Sequence, residues 1–338
     1  MNLNREEVLV FGGAGYIGSH VCLELLKSGF DVVLVDSKSL KHLNRVNETF
    51  FDLCSKKANI YSLHITNEKD LNFVFENHNI ELVVDLAGVK STVAFQHNPV
   101  DSFYSDTNLA LTLFKAMKLN SVKKIIFASS VLVYSLKEGV IDETSPTSTQ
   151  SPYSLSKLFL EGVLENIFSS DPEWQVLILR IFNTAGVHSS GMIGDNWPNV
   201  PKNLFNNIIS QLKGYDEKIV INGLDYDTLD GSCQRDYVHV EDVASAFRLG
   251  AISILENNIS GSEIINVCSG SLFSVLQIIE IFENELDTNI SKIISSRRDL
   301  DIPFICGSYA SANKLLKWSP KYNMRDICQH LIAYHKLQ

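Results

Sequence analysis

Short apolar runs alternate with amphipathic stretches through the first half of the chain. The runs lack the alternation of a strand with one exposed face, so they predict strands that are buried on both faces. These predicted strands cover residues 8–11, 31–35, 59–63, 82–87, 124–128 and 176–181. Apolar residues at helical spacing separate them over residues 17–27, 68–77, 100–119 and 152–168. This alternation predicts an α/β fold with a doubly wound parallel Rossmann sheet.

The second half of the chain is more irregular. Residues 184–203 and 222–234 are rich in glycine and small polar residues, and loops of this length usually line a site. Helical patterns return near residues 241–250 and 274–286. We therefore predict a dinucleotide-binding domain over residues 1–183 and a smaller mixed α/β C-terminal substrate lobe over residues 184–338. A segment near residues 236–252 is expected to return to the first domain.

A glycine-rich turn lies between the first predicted strand and the first predicted helix. Gly12, Gly15 and Gly18 give G-x-x-G-x-x-G, and G-x-G-x-x-G begins at Gly13. Glycines at these places let the backbone approach a pyrophosphate, which then rests on the helix N-terminus. Asp36 ends the second strand, where a carboxylate accepts from the adenosine ribose and repels a 2′-phosphate. The pattern predicts NAD rather than NADP, with a simple turn acid as the other role for Asp36.

Tyr153 and Lys157 are four residues apart, so they rise on one face of a helix that Ser151 can cap. A tyrosine hydroxyl titrates near about 10, but a lysine ammonium one turn away favours the phenolate. Ser130 follows a predicted strand at the same sheet edge and could pass a hydrogen bond to that phenolate. The bare spacing fits an ordinary amphipathic helix equally well. After a dinucleotide-binding turn, the three residues predict general acid–base catalysis.

Composition narrows the class of protein. The chain has 338 residues, and 29 Lys+Arg against 39 Asp+Glu give a net charge of −10, which disfavours nucleic acid and anionic membranes. The six cysteines form no Cys-x-x-Cys, so we expect neither a metal site nor disulfides. No apolar run reaches the roughly 20 residues of a membrane span, and the polar N-terminus does not resemble a signal peptide. We therefore expect a cytoplasmic protein.

Longer stretches make the chain resemble the extended short-chain dehydrogenases/reductases and, more closely, the UDP-galactose 4-epimerases. The most specific stretch is residues 225–242, which reads D-Y-x-T-x-D-G-x-x-x-R-D-Y-x-H-V-x-D. Similar stretches are L-R-I-F-N at 179–183, P-K-N-L at 201–204 and R-R-D-L-D at 297–301. They are spread over nearly the whole chain, so the resemblance extends beyond the nucleotide-binding half.

The resemblance implies reversible C4 epimerisation of a UDP-hexose through a 4-ketose, with tightly bound NAD and with Ser130, Tyr153 and Lys157 as catalytic residues. It implies NAD contacts at Gly12, Gly15, Tyr16, Ile17, Gly18, Asp36, His64, Ile65, Leu86, Ala87, Gly88, Lys90, Ser105, Tyr153, Lys157 and Phe182. It implies sugar-nucleotide contacts at Lys90, Ser130, Tyr153, Asn183, Asn203, Leu204, Arg235, Arg298, Asp301 and Ile305. Two arginines of that set, Arg235 and Arg298, would clamp the diphosphate. A homodimer through the helices near 100–119 and 152–168 is also implied.

Several positions depart from that family's pattern. His64 stands where an aspartate is usual, and residues 105–110 replace an Asn-Asn-Val-x-Gly-Thr stretch. Ile305 lies at a gate that controls access of N-acetylated sugars, so the sugar range stays open. A 4,6-dehydratase would carry an acidic pair where Val131 and Leu132 follow Ser130, and Asp36 opposes an NADPH-dependent reductase. An NAD-binding scaffold without activity is the alternative from another class.

Overall fold

The computed structural model describes residues 7–65, 68–88, 98–135, 139–149, 151–195, 203–297 and 302–337. Its strands are β1 (Glu7–Phe11), β2 (Asp31–Asp36), β3 (Asn59–Ser62), β4 (Ile80–Asp85), β5 (Lys124–Ser130), β6 (Val140–Ile141), β7 (Gln175–Ile181), β8 (Asn183–Ala185), β9 (Ile219–Asn222), β10 (Gln234–His239), β11 (Ser262–Val267), β12 (Leu272–Ser274), β13 (Lys292–Ser295) and β14 (Phe304–Gly307). Its helices are α1 (Tyr16–Lys27), α2 (Leu40–Cys54), α3 (Glu68–Asn77), α4 (Pro99–Leu119), α5 (Pro152–Ser170), α6 (Leu204–Leu212), α7 (Val240–Leu255), α8 (Val275–Leu286), α9 (Ala310–Leu316) and α10 (Met324–His335).

The larger sheet has seven strands in the order β11-β7-β5-β4-β1-β2-β3. Every neighbouring pair in it is parallel, which confirms the doubly wound prediction. From β1 the chain builds outward to β3, and from β4 it builds outward in the other direction. The order therefore reverses between β1 and β4, which is the place where ligands bind in open parallel sheets.

Two apolar layers sandwich this sheet, and β1 shows why its sequence lacks alternation. Val8 and Val10 belong to the layer that α1 and α7 cover, whereas Leu9 and Phe11 belong to the layer that α3, α4 and α5 cover. All four side chains are completely buried. A strand covered on both faces must be apolar throughout, so the uninterrupted run was the correct signal.

The rest of the chain forms a smaller mixed lobe, as predicted. Strands β12, β10, β14 and β6 form one sheet, β8 extends β10, and β9 pairs with β13. The lobe has its own apolar core, to which α6, α8 and α10 contribute Phe205, Phe282 and Ile327. One contact between the lobe and the larger sheet is made by β8, which directly follows β7 and pairs with β10.

Two segments from the second half of the chain also complete the larger layer. Helix α7 packs on α1, and a Cβ on its Gly250 would meet Leu177 and Ile126 of the sheet at 2.7 and 3.3 Å. Strand β11 pairs with β7 and was not predicted to return. The division at residue 183 stays a prediction. In the part of the chain that the structure describes, no helix has the length and apolar character to cross a membrane.

Candidate active site

The glycine-rich turn packs against its own neighbours so closely that side chains would not fit at its tightest points. A Cβ on Gly12, whose φ is +81°, would lie 2.8 Å from the Ala87 backbone nitrogen. A Cβ on Gly18 would lie 2.2 Å from the Gly12 carbonyl oxygen. Helix α1 then begins after Gly15 with neither a side-chain cap nor an acidic residue in its first turn. Uncapped N–H groups at a helix N-terminus bind phosphate oxygens well.

Asp36 lies beside this turn at the carboxyl end of β2. Its Oδ2 accepts a hydrogen bond from the Ala14 N–H at 3.0 Å, and its Oδ1 accepts from the Lys38 N–H at 3.0 Å. The carboxylate is therefore held in one orientation at the turn. Ser62, which pairs with Asp36, brings His64 and Ile65 to the same edge, with His64 exposed and Ile65 buried. This arrangement fits the adenosine half of a dinucleotide.

The start of α5 is fixed by a reciprocal cap. The Ser151 hydroxyl accepts from the Ser154 N–H at 3.1 Å, and the Ser154 hydroxyl accepts from the Ser151 N–H at 3.0 Å. Pro152 occupies the first turn, and the helix ends at Ser170, both as predicted. Tyr153 is therefore in the first turn of α5, and the short helical turn 131–133 that follows Ser130 packs against that helix.

Lys157 lies one turn further along α5, and its charged end points into the protein. Its side chain is 7% exposed, and its Nζ lies 3.6 Å from Asp106 Oδ2. The Nζ also lies 5.9 Å from the centre of the Tyr153 ring and 5.4 Å from that of Phe127. Burial alone would lower the pKa of Lys157, but the charges of Asp106, Tyr153 and Asp85 outweigh it and raise the pKa. The lysine therefore keeps its positive charge beside the phenol.

Two buried carboxyl groups at this site were not found from the sequence. Asp106 accepts a hydrogen bond from the Ser156 hydroxyl at 2.8 Å and faces Lys157. Its neighbour Ser105, for which the resemblance implies an NAD contact, is exposed. Asp85 ends β4, and its Oδ1 accepts from the Ala87 N–H at 3.1 Å, while its Oδ2 is buried without a partner among the described residues. Burial raises the pKa of Asp85 to about 7 against the opposing effect of Lys157. A carboxyl within a run that is otherwise apolar, at the carboxyl edge of the sheet, was the available signal for Asp85.

Gly88 leaves the space in which these charged groups meet. Its φ is +137°, and a Cβ there would lie 2.3 Å from Asp106 Oδ1 and 3.3 Å from Lys157 Nζ. Leu86 is buried and Ala87 half-buried at the same edge. Together with the turn at Gly12, these three residues form one wall of the predicted nicotinamide half. The residues present therefore fit a dinucleotide along the whole edge from Asp36 to Lys157.

The polar residues around Arg235 form hydrogen bonds that join β10 and α7 to other segments of the chain. Asp236 is fully buried and accepts from the N–H groups of Ser269, Gly270 and Gly307 at 2.8, 2.9 and 3.0 Å. Asp242 likewise accepts from the backbone at Lys321 and Tyr322, and burial raises its pKa to about 6. These contacts hold β10 and α7 against the C-terminal segment.

Arg235 itself donates from Nη1 to the Gln234 and Ile302 carbonyls at 2.7 and 2.9 Å. Ile305 is paired with Arg235 across β10 and β14 and is 6% exposed. Arg235 and Ile305 are thus adjacent on neighbouring strands, and their roles as diphosphate clamp and sugar gate stay predictions.

The remaining predicted contacts lie on both sides of the junction between the sheets. Phe182 is buried against Gly307, and Asn183 pairs with Tyr237. Asn203 caps α6 by accepting from the Asn206 N–H at 2.9 Å, and Leu204 begins that helix. The Tyr16 hydroxyl donates to the Gly186 carbonyl at 2.5 Å and links the glycine-rich turn to this junction, and Ile17 follows it in α1. Lys90, Arg298 and Asp301 lie outside the described residues, and the roles of all these residues stay predictions.

Comparisons with known proteins agree with this geometry. Residues 8–268 match the model of the NAD dependent epimerase/dehydratase family. A UDP-glucose 4-epimerase of Dictyostelium discoideum is 35% identical over 98% of this chain and 96% of its own length. The crystal structure of a UDP-glucose 4-epimerase from Bifidobacterium longum, in complex with NAD+ and UDP, is similar with a TM-score of 0.88, 33% identity and 98% coverage of both chains. One from Stenotrophomonas maltophila, with bound NAD and formylated UDP-arabinopyranose, gives a TM-score of 0.93, 30% identity and 98% coverage of both chains.

Proposed function

Because this chain belongs to the NAD dependent epimerase/dehydratase family, we propose that it is a UDP-hexose 4-epimerase. It interconverts UDP-galactose and UDP-glucose by transient oxidation at C4 of the sugar. The observation that carries the proposal is the buried Lys157 ammonium beside the Tyr153 ring at the dinucleotide edge. Relatives that are about a third identical over nearly the full chain, and that bear this activity in their names, support it.

NAD is held by the groups at the carboxyl edge of the larger sheet. Gly12, Gly15 and Gly18 open the turn and the α1 N-terminus to the pyrophosphate, and Asp36 accepts from the adenosine ribose. The chemistry that NAD supplies when bound is the uptake of one hydride at C4 of the sugar and its return to the opposite face. Because NAD ends each cycle as it began, it stays bound as a prosthetic group.

The protein's own residues move the proton. Tyr153 removes the proton from the C4 hydroxyl as the hydride leaves C4, and it returns the proton when the hydride comes back. Lys157 stabilises the phenolate by its charge. Ser130, whose Oγ accepts from the Leu132 N–H at 3.2 Å, keeps its own hydroxyl proton to bridge between sugar and phenolate. No metal is needed for this proton transfer.

The second lobe holds the nucleotide while the sugar turns over. Arg235 and Arg298 bind the diphosphate, for which a planar guanidinium is well shaped. Asn183, Asn203 and Leu204 contact the sugar nucleotide, and Asp301 accepts from the uridine ribose. A ketose held by its distant diphosphate can rotate and present either face without being lost.

The test is turnover by purified protein with no NAD added. We expect UDP-galactose and UDP-glucose to interconvert to the same final ratio from either side. UDP-N-acetylgalactosamine in a separate reaction shows whether Ile305 admits the larger sugar. Bound NAD with no conversion of any UDP-hexose would contradict the proposal and favour a scaffold without activity.

We also propose that two copies pair through α4 and α5. Val100 and Tyr104 on α4 are 76% and 68% exposed, and Leu155 and Phe159 on α5 are 44% and 43% exposed. The two helices are neighbours, with the Phe103 and Phe159 rings 6.0 Å apart, so the apolar surface is continuous. A second copy would cover it.

Sedimentation of Phe159→Asp tests this pairing. The native protein should sediment as a dimer and Phe159→Asp as a monomer, because a charge in the middle of an apolar interface is not paired. Phe51→Asp on α2 is the matched control, since Phe51 is 49% exposed on another face. Dissociation of both variants, or of neither, would contradict this interface.

We further place the protein in the cytoplasm. Its six cysteines are all free, three of them fully buried, which is typical of a reducing compartment.

A further inference from the structure

Two acidic residues lie near Lys157, although a single carboxylate is enough to balance the charge of its ammonium. Asp106 comes from α4 and Asp85 from the end of β4, and both are 2% exposed. Asp106 lies 3.6 Å from the lysine Nζ and also accepts from the Ser156 hydroxyl. Asp85 is bonded at one oxygen only among the described residues. The proton-transfer mechanism proposed above uses neither carboxyl group.

Burial raises the free-energy cost of placing charge on this cluster. Taking one ion out of water costs several kcal/mol unless a partner compensates it. The groups that face Lys157 are Asp85 from β4, Asp106 from α4, Tyr153 from its own helix and the uncharged Phe127 ring from β5. The Asp106 carboxylate offsets part of the charge of the ammonium, which lies 3.6 Å away. Any further negative charge, on Asp85 or on Tyr153, then has to share the single positive charge of Lys157.

We propose that Asp106 is a positioning residue that holds the Lys157 ammonium below Tyr153, and that Asp85 and Tyr153 compete for the one additional negative charge that this cluster supports. This inference rests on the proposed function for its catalytic consequence. Asp85 keeps its proton while Tyr153 is a phenolate, and its ionisation opposes the phenolate. The site thus limits the pH range in which Tyr153 is a base, through groups that do not contact the sugar.

The raised pKa of Asp85, to about 7, agrees with this competition. Two interacting sites of this kind titrate as a pair, so a change at one appears in the titration of the other. The inference therefore predicts that removing either carboxyl charge makes Tyr153 ionise at lower pH. Asp106→Asn has a second effect, because it removes the group that fixes the ammonium.

The experiment titrates native protein, Asp106→Asn, Asp85→Asn and the control Asp52→Asn, which removes an exposed acid on α2. The readout independent of activity is the ultraviolet absorbance of tyrosinate, with the matching Tyr153→Phe protein subtracted to isolate Tyr153. In parallel, kcat and KM for UDP-galactose are measured from about pH 5 to about pH 9, which spans the titration range of a perturbed carboxyl. NAD content and thermal unfolding confirm that each variant is intact.

In Asp106→Asn and Asp85→Asn, we expect the tyrosinate absorbance of Tyr153 to appear at a pH at least about one unit lower than in the native protein. The acid side of the kcat profile should move to lower pH by the same amount. Asp106→Asn should also lose several-fold in kcat at its plateau with KM unchanged, because only the positioning of Lys157 is lost. Asp52→Asn should superpose on the native protein. Titrations of both site variants that superpose on the native curve would overturn the inference.

Asp85→Asn keeps the ion pair of Lys157 with Asp106. This variant therefore tests whether Asp85 and Tyr153 compete for one negative charge, even if Asp106→Asn does not fold. The absorbance readout needs no turnover. If native protein converts no UDP-hexose but the absorbance still shifts, the proposed function is wrong and the coupling stands. If native protein is active and no absorbance shift occurs, the coupling is wrong and the proposed function stands.

Discussion

Helix α5 carries two buried ion pairs one turn apart, and they are built in opposite ways. Glu161 receives two hydrogen bonds from Arg180, at 3.1 and 2.6 Å, and a third from the Ser129 hydroxyl. Lys157 and Asp106 are 3.6 Å apart, and Asp85 beside them leaves one oxygen without a partner among the described residues. The first pair is saturated by the protein. Beside the second pair, Asp85 Oδ2 keeps bonding capacity for a ligand.

The saturated pair belongs to a network that joins the two halves of the molecule. The Arg180 guanidinium lies 4.7 Å from the centre of the Tyr134 ring. The Tyr134 hydroxyl donates to the Asn266 side-chain oxygen at 2.7 Å, and the Asn266 backbone N–H donates to Glu143 Oε1 at 2.7 Å. A buried network in which every group is satisfied gives rigidity. Glu161 therefore fixes α5 one turn after Lys157 and two turns after Tyr153.

The largest effect that separates the two pairs is expected for Tyr153→Phe. The variant loses the proton acceptor but keeps the ring, the cap of α5 and the Glu161–Arg180 pair. We expect turnover of UDP-galactose to fall by about 10²–10⁴-fold, the usual contribution of general acid–base catalysis. NAD content and the unfolding temperature should stay native. Near-native turnover would show that another group is the base.

Glu161→Gln should act in the opposite manner, on stability. Arg180 would be left with a buried charge that lacks its partner, which costs about 3–5 kcal/mol. Denaturant unfolding measures the change, and Glu165→Gln, which alters an exposed acid one turn later on the same helix, should be almost neutral. At low temperature the folded fraction of Glu161→Gln should still convert UDP-galactose. Unchanged stability would mean that the pair does not fix α5.

A smaller effect is expected in the pH dependence of stability, from Asp85. Burial raises the pKa of Asp85 to about 7, whereas an aspartate in the unfolded chain has a pKa of about 3.9. Between these values the folded protein binds more protons than the unfolded chain, so the free energy of unfolding falls as pH rises through this window. The loss is at most about 4 kcal/mol, three pKa units at about 1.4 kcal/mol each. Stability present below pH 4 is thus lost as pH rises past 7.

Asp85→Asn should remove this slope, because an amide does not titrate. Urea unfolding at several pH values compares it with the native protein and with Asp52→Asn. Relative to Asp85→Asn, the two aspartate-bearing proteins should lose stability together across the window. An equal pH slope in all three proteins would contradict the raised pKa of the buried Asp85 carboxyl.

The sequence predicted those strands of the sheet whose residues are apolar because both faces are buried. The runs at β1 and β2 are almost wholly apolar because both faces are covered, and helix α3 was predicted with its observed bounds. Helix α2 was not identified, since it buries only Leu43, Asn47 and Phe50. Strand β11 was missed because Ser262 and Glu263 open it with polar side chains.

The site was predictable where a local motif carries it. Two such motifs are the turn at Gly12–Gly18 and the spacing of Tyr153 and Lys157. The sequence shows them because the residues that act together are close together in it. Asp106 and Lys157 are 51 positions apart, on two helices that meet only in the folded protein. No spacing rule links them, so the cluster around Lys157 had to come from the structure. The unusual stretch at residues 105–110 marked the place but not the residue.

The most direct measurement is a crystal structure of the protein with NAD and UDP-glucose bound. The account predicts the 4-hydroxyl of the sugar within about 3 Å of the Tyr153 hydroxyl, on the side where C4 faces the nicotinamide ring. A phenol that points away from the sugar, or an edge at Gly88 and Ser130 too narrow for a hexose, would contradict it.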